Sequence, residues 1–201
     1  MPSGGQFAIQ ATSSTPLLAL RCSPVIRPYL AEDATTLSSD DMAILIDSPI
    51  IFQYISNAAP ISIPNFNNFG TLSVSVSVDG NTLTNGSVPL NATKYPLSFS
   101  LSESSLQPRV DAYTITCSAT FSSQQYQATG SLTYLPNPPS SIGSVTKMDL
   151  RTGAILAKPA DGKEGSYAPV FPIGFYTTFE GYLTENPTIS AQLKAKGWAF
   201  C

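Results

Sequence analysis

From Thr71 onward the chain alternates between apolar and hydroxyl-bearing residues. Leu72, Val74, Val76 and Val78 interleave with Ser73, Ser75 and Ser77, and Leu97, Phe99 and Leu101 with Ser98, Ser100 and Ser102. Tyr113, Ile115, Cys117, Ala119 and Phe121 interleave in the same way with Thr114, Thr116, Ser118 and Thr120. A period of two sends successive side chains to opposite faces, so each run predicts a half-buried strand. Asp79-Gly80 follows the first run and supplies a tight hairpin, because both residues tolerate φ > 0. A further strand, Tyr126–Tyr134, follows Ser122-Ser-Gln-Gln125, which predicts a hairpin over residues 111–135 closed by a four-residue turn. Met42–Ile46 and Ile50–Ile55, separated by Asp47-Ser-Pro49, are short apolar runs that suit strands. Several half-buried strands at this spacing predict an antiparallel β-sandwich.

The pattern changes at both ends. Residues 1–15 are rich in Ser, Thr, Gly and Gln and read as a flexible arm, with the sandwich domain over residues 16–136. Prolines 136, 138 and 139 cannot pair in a central strand, so residues 137–141 read as a Pro-rich linker. Residues 142–201 then carry two short strands, Ser144–Leu150 and Ala154–Lys158, a polar loop Pro159–Gly165, a strand over Ala168–Phe179 and a helix over Asn186–Gly197. Asn186 caps that helix, Pro187 occupies its first turn and Gly197 stops it. A single strand–helix unit cannot cover its own faces, so this region reads as the incomplete start of a (β/α)8 barrel. Its uncovered apolar surface predicts self-association through the C-terminal segment. The fold class is therefore mainly β, a sandwich followed by an incomplete β/α, barrel-start segment.

Composition removes several chemistries. There is no histidine among 201 residues, which excludes a Ser-His-Asp triad, a Cys-His pair and histidine-ligated metal. Cys22, Cys117 and Cys201 have no CxxC spacing, so neither a metal site nor a cofactor is expected. A formal charge of −3 offers no basic footprint, and nucleic acid is not an expected partner. No apolar run reaches the ~18 residues of a membrane span. Leu17-Leu-Ala-Leu20 is too short for the core of a signal peptide, and a leader is expected upstream of Met1. The sequons Asn85-Gly-Ser87 and Asn91-Ala-Thr93 point to an extracellular, N-glycosylated protein, whereas Asn186-Pro-Thr188 is disqualified by its proline.

Tyr113 and Cys117 share an apolar face. They resemble the Tyr and Cys in the penultimate strand of an immunoglobulin-like sandwich, although four residues separate them where the tyrosine corner has two. A Cys22–Cys117 bridge would close a loop of roughly a hundred residues, worth about 4–5 kcal/mol in the chain-entropy model. The alternative is two buried free thiols. The acidic pairs Glu32-Asp33 and Asp40-Asp41 lack ligand spacing and read as solvated loops. Glu180, just after the Ala168–Phe179 strand, is a better site candidate, because the C-terminal end of a barrel strand faces the catalytic mouth. Phe171, Phe175, Tyr176, Phe179, Tyr182 and Trp198 form the densest aromatic group. Tyr176 and Trp198 could stack on sugar rings, against the plainer reading that the group packs a barrel core.

Ser141–Pro159, followed by Tyr167-Ala-Pro-Val-Phe-Pro-Ile-Gly-Phe-Tyr176 and Leu193-Lys-Ala-Lys-Gly197, resembles the junction where a β-sandwich meets a (β/α)8 barrel in secreted fungal glycoside-hydrolase-like proteins. Leu20–Leu30 is similar to their front end, and Phe171–Tyr176 is the most specific element. In that family the two catalytic carboxylates lie on later barrel strands, and no position here matches them. The resemblance implies the non-catalytic, accessory N-terminal portion of a secreted carbohydrate-active protein, with no catalytic residue, carbohydrate as the candidate partner, and a glycoside hydrolase as the parent family. A stand-alone extracellular immunoglobulin-like module that binds glycan or protein is the alternative. An active hydrolase would need two carboxylates roughly 5–9 Å apart, which these residues do not assign.

Overall fold

A computed structural model of the chain describes residues 11–64, 69–139, 141, 145–158, 165–170, 186 and 188–195. The chain divides into two compact units, one comprising Met1–Asn137 and Met148–Gly153, the other Pro138–Lys147 and Ala154–Cys201. The strands of the first unit are β1 (Thr12–Leu18), β2 (Arg21–Pro24), β3 (Ile26–Arg27), β4 (Tyr29–Leu30), β5 (Ala43–Asp47), β6 (Ile50–Gln53), β7 (Ala59–Pro60), β8 (Thr71–Val78), β9 (Asn81–Pro89), β10 (Tyr95–Ser98), β11 (Tyr113–Phe121), β12 (Gln124–Leu132) and β13 (Tyr134–Leu135). A one-turn helix, α1 (Asp33–Thr36), follows β4. The protein is mainly β, with several antiparallel sheets.

Two sheets build the core of this unit, one ordered β10-β5-β2 and the other β12-β11-β8-β9. The alternating runs fold as their period demands: Leu72, Val74, Val76 and Val78 are buried while Ser73 is exposed. In β11 Tyr113, Ile115, Cys117, Ala119 and Phe121 are buried. Ala43, Ile44, Leu45 and Ile46 of β5 are buried without alternation, as in a strand covered on both faces. Burying side chains of this size stabilises by about 1.5–3 kcal/mol each before entropy is counted. The buried faces of the two sheets meet through a Cys22–Cys117 disulfide that joins β2 to β11.

The turns obey local stereochemistry. Asp79 and Gly80 take φ of 49° and 82°, and Val78 pairs with Asn81 across a two-residue hairpin. The turn between β11 and β12 also has two residues rather than the expected four. Phe121 pairs with Gln124, and Ser122 takes φ 54°. Gln124 looked like turn sequence because it is polar, but it belongs to the strand, and its Oε1 accepts a hydrogen bond from Ser62 N at 3.0 Å.

β1 begins at Thr12, inside the segment expected to be an arm, because Leu17 and Leu18 are buried between β6 and β7. The short parallel pair β4–β13 aligns Tyr29 with Tyr134. Tyr29 is wholly buried, packs edge-on against Phe99 at 5.9 Å, and donates its hydroxyl to Asp41 O at 2.9 Å. Burial pushes its phenol well above the ordinary range, so it stays neutral. Beyond the proline-rich stretch, Met148 and Asp149 of β14 (Lys147–Asp149) pair antiparallel with Arg27 and Ile26, which returns residues 148–153 to the first unit.

In the second unit β15 (Ala154–Ala157) pairs antiparallel with β16 (Ala168–Val170), and α2 (Ile189–Ala195) follows. Lys147 Nζ and Lys158 Nζ lie over the Tyr167 ring, 4.0 and 5.3 Å from its centre. Asn186 Oδ1 accepts a hydrogen bond from Thr188 N at 2.9 Å, the capping role its position suggested. The Ala168–Phe179 strand is described only over its first three residues, and Pro187 and Gly197 lie outside the described residues.

Candidate functional site

The anticipated site residues are distributed unevenly. Glu180, Tyr176 and Trp198, together with Phe171, Phe175, Phe179, Tyr182 and Cys201, lie outside the described residues. Cys22 and Cys117 are bonded, with Cα atoms 6.6 Å apart and a sequence separation of 95. The placement of Cys117 on the apolar face explains this: it projects from β11 into the space between the sheets, where β2 delivers Cys22. Closing so long a loop removes roughly 4–5 kcal/mol of unfolded-state entropy in the chain-entropy model. Packing around the bridge leaves no room for a side chain at position 130, because a Cβ there would run into the Cys22 carbonyl oxygen and touch Ile115.

Both candidate glycosylation asparagines are exposed, in different settings. A polar stretch between two alternating runs predicts a surface turn at each asparagine, but Asn85 sits within β9, opposite Ser75. The polar run Asn81–Ser87 forms a strand because it can pair with β8 while its outward side chains meet solvent. Asn91 does lie in a turn, at φ 64°, and its Oδ1 accepts a hydrogen bond from Ile50 N at 3.2 Å.

Two open clefts mark the first unit. One, of about 390 Å³, lies between the β8–β9 turn and the segment after β10, with Asn81, Thr82, Ser100, Glu103 and Ser104 among its lining. The other, of about 340 Å³, borders the disulfide and includes Arg21, Ser23, Asp47, Asn57 and Thr129. Each contains one carboxylate, so neither supplies the two that glycosidic cleavage uses. Among the described residues, no group of three or more His, Cys, Asp or Glu is placed to hold a metal ion. No described helix is long and apolar enough to cross a membrane.

The acidic pairs expected to be solvated are partly structural. Asp33 is 1% exposed, and its Oδ2 accepts Leu30 N at 2.7 Å. Asp41 is held by Arg151 Nη2 at 2.5 Å, and the same guanidinium reaches Asp149 Oδ1 at 3.1 Å through Nε. Burial works to raise the Asp149 carboxyl. Hydrogen bonds from the Arg151 side chain and backbone, the positive charge and the Thr152 hydroxyl overcome it and hold the group below its ordinary value. Asp149 in turn is the largest cause raising Arg151. Asp41 and Arg151 lie 110 residues apart, and no sequence periodicity reports such a pair.

No protein-family model, curated protein or solved structure matches this chain.

Proposed function

We propose that this chain is the non-catalytic, accessory N-terminal portion of a secreted carbohydrate-active protein, built on an immunoglobulin-like sandwich and followed by the start of a barrel. The observation that carries the reading is the disulfide-stapled pair of sheets. The order β10-β5-β2 opposite β12-β11-β8-β9 parallels strands E-B-A and G-F-C-C′ of an immunoglobulin-like domain. Tyr113 adds support: its hydroxyl donates to Gln107 O at 2.7 Å and accepts from Gln107 N at 3.1 Å, a bond back to upstream backbone of the tyrosine-corner kind. One departure is plain. The bridge leaves from β2, the A-like strand, where antibody domains use strand B. A disulfide fits an oxidising compartment, and the glycoside-hydrolase lineage rests on the resemblance of Ser141–Tyr176 and Leu20–Leu30.

Assay of the intact chain against a panel of chromogenic glycosides tests this reading. The expected result is no turnover. Turnover abolished by Glu180→Gln would overturn it and make that carboxylate catalytic.

A specific observation favours the second reading, a stand-alone binding module. Phe52, in β6, and Tyr54, one residue past its end, are 48% and 56% exposed, an aromatic pair of the kind that stacks on ligands. Loss of glycan or protein binding in a Phe52→Ala/Tyr54→Ala double variant would select that reading.

A further inference from the structure

β9 forms one edge of the four-stranded sheet and has no charged residue between Asn81 and Pro89. Long edge strands without charge are templates for pairing with another chain, and proteins ordinarily blunt them with lysine, proline, bulges or a cover. β9 has a register irregularity opposite Val76 and Ser77 and a proline at its last position, and β10 covers its inner side, where Thr84 Oγ1 donates to Ser98 O at 2.7 Å and Gly86 lies against Leu97, which leaves its outer side to be blunted. Asn85 sits in the middle of β9. It is exposed, and its side chain makes no hydrogen bond among the described residues, unlike that of Asn91. Across the sheet from it, Ser75, Ser118 and Gln127 continue one row through all four strands. This outer face is neutral and hydroxyl- and amide-bearing, a surface on which a polyhydroxyl chain can exchange hydrogen bonds without desolvating any charge.

We propose that Asn85 is an N-glycan attachment site and that its glycan is the cover of the β9 edge and the hydroxyl-bearing face beside it. The chemistry balances with a lipid-pyrophosphate-linked oligosaccharide as co-reactant. Asn85 Nδ2 forms a bond to the anomeric carbon, the carbon–oxygen bond to pyrophosphate breaks, the lipid pyrophosphate leaves with the bonding electrons, and the nitrogen loses one proton. Asn91 provides the internal comparison: the same modification there extends from the turn after β9 and not from the row of the four-stranded sheet. The proposal rests on the extracellular reading above.

The test is to secrete the full chain from a eukaryotic host and measure intact mass and light scattering over a concentration series. Asn85→Gln, and Ser87→Ala, which removes the sequon while keeping the asparagine, should each lose one glycan mass. Each should also self-associate at a concentration at least tenfold lower than the parent. Thr93→Ala, which removes the second sequon while keeping Asn91 and its bond to Ile50, should leave association unchanged. Loss of the Asn85 glycan with no change in association in both variants overturns the cover while leaving secretion intact. A parent chain glycosylated at Asn91 but bare at Asn85 overturns the attachment site. A parent bare at both positions sinks the extracellular reading as well.

Discussion

Arg151 gathers separate pieces of chain with one side chain: Asp41, Asp149 and, through Nη1, the Asp40 carbonyl oxygen at 3.3 Å. Asp149 is the buried end of this cluster, so its charge state decides what the cluster contributes. Its pKa is lower in the folded state than the ordinary aspartate value of 3.8, so the unfolded chain binds the proton more tightly. The stabilisation is therefore complete above pH 3.8 and is lost as pH falls through the folded value. Asp149→Asn should cost about 1–2 kcal/mol at pH 7, the modest end for a charged hydrogen-bonded pair because the guanidinium is 35% exposed. Urea denaturation at pH 7 and again near pH 3 checks this, with the difference between parent and variant shrinking at the lower pH. Residues differ in how openly the sequence displays such roles. Cys117 was legible because alternation assigned it to the buried face. Asp33 and Asp41 were not, because adjacent carboxylates look solvated until a distant backbone N–H or guanidinium meets them.

At the scale of elements, legibility followed periodicity. β8 and β11 were plain from the apolar/hydroxyl alternation, and Asp79-Gly80 gave the first hairpin its turn. β9 and the first residues of β12 were obscured, because Asn81–Ser87 and Gln124-Gln125 are polar and polarity alone does not separate a turn from an outward-facing strand. The β11–β12 turn makes the difference measurable. Ser122 takes φ 54°, a conformation that costs an L-residue roughly 1–2 kcal/mol and glycine little. Ser122→Gly should therefore stabilise the protein by about 0.5 kcal/mol after the entropy that glycine adds to the unfolded chain. A rise in urea midpoint with an unchanged m-value is the expected result. A fall would mean that the Ser122 side chain contributes more to this turn than its backbone conformation costs.

For the molecule as a whole, the compact first unit does not end at the proline-rich stretch. Asn137 Oδ1 accepts Glu32 N at 2.8 Å, Leu150 N donates to Val25 O at 2.8 Å, and Lys94 Nζ donates to Arg151 O at 2.5 Å. A chain ending at Asn137 lacks Asp149, Leu150 and Arg151, and should be less stable than one ending at Gly153 by about 2 kcal/mol or more. Equal urea midpoints for the two truncations would show that residues 148–153 are bystanders. The return of residues 148–153 leaves no local signal, because a buried aspartate and an arginine in a turn acquire meaning only beside residues far upstream. Such distance has a consequence during synthesis. Glu32 waits 105 residues for Asn137, and at about 5–20 residues per second that interval lasts roughly 5–20 s. Throughout it Tyr29 and Leu30, destined to be among the most buried side chains, have left the ribosome without their strand partners. The burial of Tyr29 and Leu30 therefore cannot be completed until the β13 residues emerge.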